Sequence, residues 1–120
     1  MDKRELKRMA RETKTEAGVY QIRNTKNGKR FVDSTPNLKS LNGQRFMLET
    51  GSHKNSRLQA DWKAYGGDAF LFEVLEVLER AEDESIYFDL RDELKKLEEK
   101  WLDRLQPFGE AGYNAPRQMG

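Results

Sequence analysis

From Gly18 to Asn24 the chain alternates apolar and polar residues with period two. That alternation predicts a strand with one face in a core. Asn27-Gly28 follows and predicts a hairpin turn, because both residues tolerate positive φ. Residues 30–33 then return as the partner strand. Ser34-Thr35-Pro36 predicts a helix start, with Thr35 as N-cap and Pro36 at the first helical position. Residues 17–38 are thus the expected nucleus against which the rest of the chain packs.

Over residues 37–49, Leu38, Leu41, Arg45 and Leu48 recur at helical spacing, with Phe46 beside them and Gly43 inside at a cost of about 1 kcal/mol relative to Ala. Arg45 interrupts an apolar stripe. It either meets an anion or carries its charge past the stripe into water. The polar loop 50–55 holds the only histidine, His53, expected at the surface and outside any chemistry. Asn55 or Ser56 caps a helix reaching Tyr65, with Leu58, Trp62 and Tyr65 on one face and Gly66-Gly67 as the stop. Residues 70–78 are the most hydrophobic run and predict a third strand, expected at the centre of the sheet.

The longest predicted helix spans 84–106, with Asp83 as N-cap and Pro107 as the stop. Its stripe comprises Tyr87, Leu90, Leu94, Leu97, Trp101, Leu102 and Leu105. Trp62 and Trp101 fall on such stripes and are expected as core anchors, not as platforms for bases. At about 100° per residue Glu98 falls inside the stripe, between Leu94 and Leu102, whereas Glu99 does not. A carboxylate placed there needs a cation, hydrogen-bond donors or a metal. Arg45 is the candidate cation and Tyr20 the candidate donor. A site residue and a structural ion pair both satisfy this pattern.

Composition narrows the picture. The chain has 120 residues, one domain's worth, and 36% of them are charged. It has no cysteine, which excludes disulfides and thiolate metal sites and fits a reducing compartment, with the cytoplasm as the expected location. No apolar run approaches the roughly 20 residues of a membrane span, so no membrane partner is expected. The N-terminus does not read as a secretory signal. The net charge of +1 conceals an asymmetry: residues 1–60 hold 14 Lys/Arg against 6 Asp/Glu, and residues 61–120 hold 8 against 15. A basic half suits a polyanion, although a solvated acidic helix gives the same balance. Leu6, Met9 and Ala10 give residues 1–16 one narrow apolar stripe in a basic helix. The expected organisation is that helix, a domain over 17–115, and a tail over 116–120.

Gly18-Val19-Tyr20, then about ten residues, then Phe31-Val32-Asp33-Ser34 resembles the paired motifs of the GIY-YIG endonuclease family. Asn37-Leu38, Asn55-Ser56-Arg57-Leu58-Gln59, Trp62, Tyr65-Gly66, Phe72-Glu73-Val74-Leu75-Glu76, Glu98-Glu99-Lys100-Trp101-Leu102, Gln106-Pro107 and Gly112-Tyr113-Asn114 follow in the family's order. The resemblance covers roughly residues 17–115. It implies an α/β (α+β) fold, a small three-stranded antiparallel sheet flanked by helices. It also implies DNA as the partner and hydrolysis of a phosphodiester with one divalent metal, Mg²⁺ or Mn²⁺. Tyr20 matches the tyrosine that activates water or assists as general base, Glu98 the glutamate that holds the metal, and Asn114 an asparagine near the site.

The departures from the pattern bear on chemistry. Phe31 lacks the hydroxyl of the second motif's tyrosine. Asp33 replaces its glycine, setting a negative charge where a phosphate should approach unless Asp33 itself binds metal. Leu41 stands where the family has its arginine, and an apolar group cannot stabilise developing phosphate charge. Arg45, about 6 Å of helical rise farther on, is the candidate replacement. The expected catalytic set is therefore Tyr20, Arg45, Glu98 and Asn114, with Glu98 as metal ligand. Lys26, Lys29, Arg30, Lys39, Lys54 and Arg57 are expected to follow DNA phosphates without reading sequence. The function expected first is a nucleic-acid-binding domain of this family with hydrolysis lost or impaired. A divergent active metal-dependent endonuclease and a protein-interaction domain on the same fold are the alternatives. The oligomeric state is left open.

Overall fold

The computed structural model describes residues 16–78 and 90–115. The expected N-terminal helix and the C-terminal tail, together with Asp83 and Tyr87, lie outside these residues, apart from Glu16.

Strand β1, Gly18–Asn24, pairs antiparallel with β2, Arg30–Thr35, and with β3, Phe70–Val77, in the order β2-β1-β3. The hairpin turn closes with the Gly28 N–H donating to Asn24 O at 2.8 Å. Only Gly28 takes positive φ (78°). Asn27 keeps negative φ and uses its side chain to accept from Lys29 N–H.

The central strand is β1, not the more hydrophobic β3. Ala17 to Ile22 are buried without a break, whereas Leu71 and Val74 of β3 are 45% and 48% exposed. Apolar content therefore misassigned the centre. The strand buried on both faces is the one with small and apolar residues at successive positions. Gly18 explains the close approach of β3: a Cβ there would lie 2.3 Å from Glu76 O and 3.1 Å from Val77 Cα. A register shift between Val19 and Tyr20 follows at once on the β3 side, a local bulge that re-aims the side chains beyond it.

Tyr20, Ile22, Phe31, Phe70 and Phe72 lie on one face of the sheet. With Leu48, Leu58, Trp62 and Tyr113 they form the core beneath helices α1, Leu41–Thr50, and α2, Ser56–Tyr65. Helix α3, Leu90–Leu105, crosses the opposite face, where Trp101 Nε1 donates to Glu76 at 2.9 Å. Trp62 is buried in the core as expected; Trp101 is half-buried beside α3's own cations.

The helix after the hairpin starts later than its sequence suggests. Thr35 belongs to β2, and a short 3-10 turn over Leu38–Ser40 precedes α1. The capping side chain is Asn37, which accepts from Lys39 N–H. Thr35 Oγ1 instead accepts from Asn37 N–H, so Pro36 occupies the link, not the first helical turn. The C-terminal segment returns to β2. Tyr113 N–H donates to Arg30 O at 2.9 Å, so residues 112–114 cover part of the β2 edge.

Replacing Gly18 by Ala should force β1 and β3 apart and cost about 1–3 kcal/mol. Urea denaturation followed by far-ultraviolet circular dichroism checks this. A midpoint equal to wild type would show that the sheet does not need the close approach.

Candidate functional site

The register of β1 against β2 sets Tyr20 opposite Asp33 and Val19 opposite Ser34. Tyr20 Oη donates to Asp33 Oδ2 across 3.4 Å, a long bond. Lys54, on the loop before α2, donates to the same oxygen at 2.9 Å. Ser34 N–H is shared, reaching Asp33 Oδ1 at 2.9 Å and Glu98 Oε1 at 3.1 Å, and Ser34 Oγ donates to Glu98 Oε1 at 3.1 Å. Two carboxylates therefore converge on one backbone donor at the edge of β2.

The charges follow from this geometry. Burial raises the Glu98 carboxyl above its ordinary range, and the Asp33 carboxylate raises it further against the pull of the two Ser34 donors. Burial, then Asp33, then Glu98 keep the Tyr20 phenol well above its ordinary value. Tyr20 thus stays protonated and acts as a donor.

His53 corrects an expectation. It is buried, not at the surface, and packs edge-to-face on Phe31 with ring centroids 5.6 Å apart. Its Nδ1 accepts from Asn55 N–H at 3.0 Å, so the proton sits on Nε2, which faces Gln44 Oε1 at 2.8 Å. Burial, reinforced by the Lys54 charge, lowers its pKa. The ring is neutral and stands behind the position where the family's tyrosine would be. Nothing in the local pattern marks His53 as buried; only the return of the loop beneath Phe31 does.

The predicted site residues do not all gather. Tyr20 and Glu98 meet through Asp33. Arg45 is not paired with Glu98. It bonds Glu49 one turn on at 3.4 Å, with its guanidinium 5.8 Å from the Trp62 ring and 5.7 Å from the Phe72 ring. The reason is topological: α1 lies over the face opposite α3. Leu41 packs against the aromatic core. Asn114 lies along β2, where its amide accepts from Val32 N–H at 2.9 Å and donates to Val32 O at 2.8 Å.

Among the predicted phosphate contacts, Lys54 and Arg57 line a cavity of about 350 Å³ together with Asn55, Ser56 and Tyr113. Arg57 also donates to Gly109 O at 2.8 Å. Lys26 and Lys29 lie at the hairpin tip, the latter roughly 13 Å along the strand from Asp33. Arg30 is half-buried in β2, and Lys39 is exposed within the 3-10 turn. Tyr113 is buried, accepting from Asn24 Nδ2 and donating to Asp61 at 2.7 Å, and its phenol is pushed up to about 12 by burial and that carboxylate. The sequence placed Lys54 among the phosphate contacts and Asp33 at the altered motif position, but it joined neither to Tyr20; only the fold brings Tyr20 and Lys54 onto the same Asp33 oxygen.

Because the folded chain holds the Glu98 proton to higher pH than the unfolded chain, stability falls as pH rises from 4.5 through the folded value. At neutral pH the penalty is fully present. Glu98→Gln keeps an oxygen for Ser34 and removes the charge. In chelator-containing buffer it should melt above wild type at about pH 7.5, with the gap closing as pH falls toward 4.5. His53 contributes in the opposite sense but equally in both proteins. Thermal melts at the two pH values check this, and a gap that does not depend on pH rejects it.

No protein-family model matches the chain, and no curated protein matches it either. Two solved structures do. The catalytic domain of homing endonuclease I-TevI superposes with a TM-score of 0.67 and 27% identity, over 84% of this chain and 99% of that one. A glutamate-to-alanine mutant of the catalytic domain of intron endonuclease I-TevI gives the same TM-score and identity, over 88% of this chain and 99% of that one. I-TevI is a GIY-YIG homing endonuclease. The chain thus shares its fold over most of its length with the catalytic domain of a GIY-YIG homing endonuclease, and its motif order resembles the same family.

Proposed function

We propose that this chain is a DNA-binding GIY-YIG domain whose phosphodiester hydrolysis is impaired. One observation carries the reading: the Tyr20 hydroxyl is engaged by the Asp33 carboxylate, which stands where the family motif has glycine. A phenol that assists as a base has to give up its proton readily. Here burial and two carboxylates hold that proton in place. Asp33 also repels an incoming phosphate, and Leu41 supplies no charge for the transition state.

The donor set fits the divalent metal of the family in kind. Glu98 and Asp33 offer hard oxygen atoms, which suit Mg²⁺ or Mn²⁺, and these two carboxylates would hold the ion. When bound, such an ion would polarise a phosphate oxygen and acidify water. Ser34 holds Glu98 in place. Lys54 and Arg57 border the adjoining cavity and would receive phosphates of the DNA backbone, with Lys26 and Lys29 reaching farther along it.

A second reading has a specific observation in its favour. Lys54 brings an ammonium to within 2.9 Å of Asp33, beside Tyr20, and could stand in for the missing arginine of an active enzyme.

Fluorescence anisotropy with a short DNA duplex should report salt-dependent binding at low ionic strength. Lys54→Ala and Arg57→Ala should each weaken binding across sequences and reduce the salt slope by about 1. Binding that is absent or insensitive to salt rejects the DNA reading. In a parallel assay, supercoiled plasmid with Mg²⁺ or Mn²⁺ should stay intact. Nicking that vanishes in Glu98→Ala would overturn impaired hydrolysis in favour of the active enzyme.

A further inference from the structure

We infer that Asp61 and Tyr113 are positioning residues for DNA binding, which hold the hairpin tip and the start of α2 together as one preformed array of cations. The inference rests on the proposed DNA reading and deepens it. It concerns how Lys26, Lys29, Lys54 and Arg57 are held in place, and does not depend on whether DNA is cleaved.

Both lysines of the hairpin tip are clamped in the same way. Lys26 N–H donates to Asn24 Oδ1 at 2.9 Å, and Lys29 N–H donates to Asn27 Oδ1 at 2.9 Å. Each asparagine thus uses its oxygen for the turn and extends its NH₂ group toward α2. Asn24 Nδ2 donates to Tyr113 Oη at 3.1 Å, and Tyr113 Oη donates to Asp61 Oδ2 at 2.7 Å. Asn27 Nδ2 reaches the same Asp61 oxygen directly, at 3.2 Å. Both clamps therefore end on one carboxylate oxygen of α2. The arm through Asn24 and Tyr113 is buried, where a hydrogen bond is strong and costly to break, whereas the Asn27 arm is exposed.

The other two cations depend on the same pair. Arg57 lies on α2 one turn before Asp61. Lys54 precedes Asn55, the N-cap of α2, and Asn55 Nδ2 donates to Tyr113 O at 2.9 Å. Tyr113 thus ties the base of the hairpin to the body of α2 with its hydroxyl, and to the N-terminus of α2 with its carbonyl. By charge alone, a carboxylate between Arg57 and the hairpin tip opposes the approach of phosphate. Its work as the shared acceptor explains its place. Cations that are held before DNA arrives need no ordering on contact, so the clamp raises affinity without touching the DNA.

The test is fluorescence anisotropy of the full chain with a DNA duplex at low ionic strength, using variants that leave every cation in place. If only charge counts, Asp61→Ala binds DNA more tightly, because an anion has gone. If Asp61 positions the cations, Asp61→Ala binds about fivefold more weakly, and Tyr113→Phe loses a similar factor with no change of charge. Replacing Lys26 and Lys29 together by Ala should weaken wild type, yet have little further effect in the Asp61→Ala background. Amide ¹⁵N relaxation of the free protein gives a readout that needs no DNA. The amides of residues 26–29 should be as ordered as those of β1 in wild type, and should lose order in both variants while β1 keeps it. Asn27→Ala removes only the exposed arm, leaves the core intact, and should show both effects to a smaller degree. Binding by Asp61→Ala equal to or tighter than wild type overturns the positioning role alone. So do tip amides that are already disordered in wild type, or that stay ordered in all three variants. Wild type without salt-dependent binding rejects the DNA reading, and this role with it.

Discussion

The register of β1 between its two neighbours is the constraint on which the rest depends. Every residue from Ala17 to Ile22 is buried, so a slip by one position would exchange the contents of the two faces. Gly18 holds the β3 side, where no Cβ fits against the Glu76 carbonyl. The β2 side then follows, with Tyr20 set against Asp33 and Ser34 against Val19. The glycine and the tyrosine of the first motif are therefore two parts of one device. One admits the neighbouring strand, and the other is aimed by the register that this approach creates.

The edge of β2 explains why residues from distant parts of the chain converge there. An exposed strand edge leaves alternate N–H groups without partners. Asn114 accepts from Val32 N–H and Glu98 from Ser34 N–H, the next outward-facing donor along. Two motif residues thus satisfy successive backbone donors of one strand. Glu98 sits half-buried in the stripe of α3 because it caps that edge. This also decides the fate of Arg45, which lies over the other face and finds Glu49 and the rings of Trp62 and Phe72 instead.

The edge of β2 carries an electrostatic cost. Two carboxylates share one N–H with a single exposed ammonium beside them. The neutral His53 behind Phe31 is a different case. Both its nitrogens are satisfied, and it braces the loop that carries Lys54.

Much of this was legible in the sequence. The period-two run predicted β1, the Asn-Gly turn predicted the hairpin, and the odd place of Glu98 in an apolar stripe marked it before any resemblance was considered. The motif order predicted the sheet and its flanking helices. These are local or one-dimensional signals, fixed by how side chains repeat along a strand or helix. The tertiary structure alone decided the rest: that β1 and not β3 is central, that α1 and α3 lie on opposite faces, that His53 is buried, and that Asp33, Lys54 and Tyr20 share one oxygen. Each of these depends on which elements pack on which face, and residues 20, 33, 54 and 98 carry no periodicity in common. Hydrophobic pattern reports that a residue is buried. It does not report against what, and the chemistry of this site lies in that second fact.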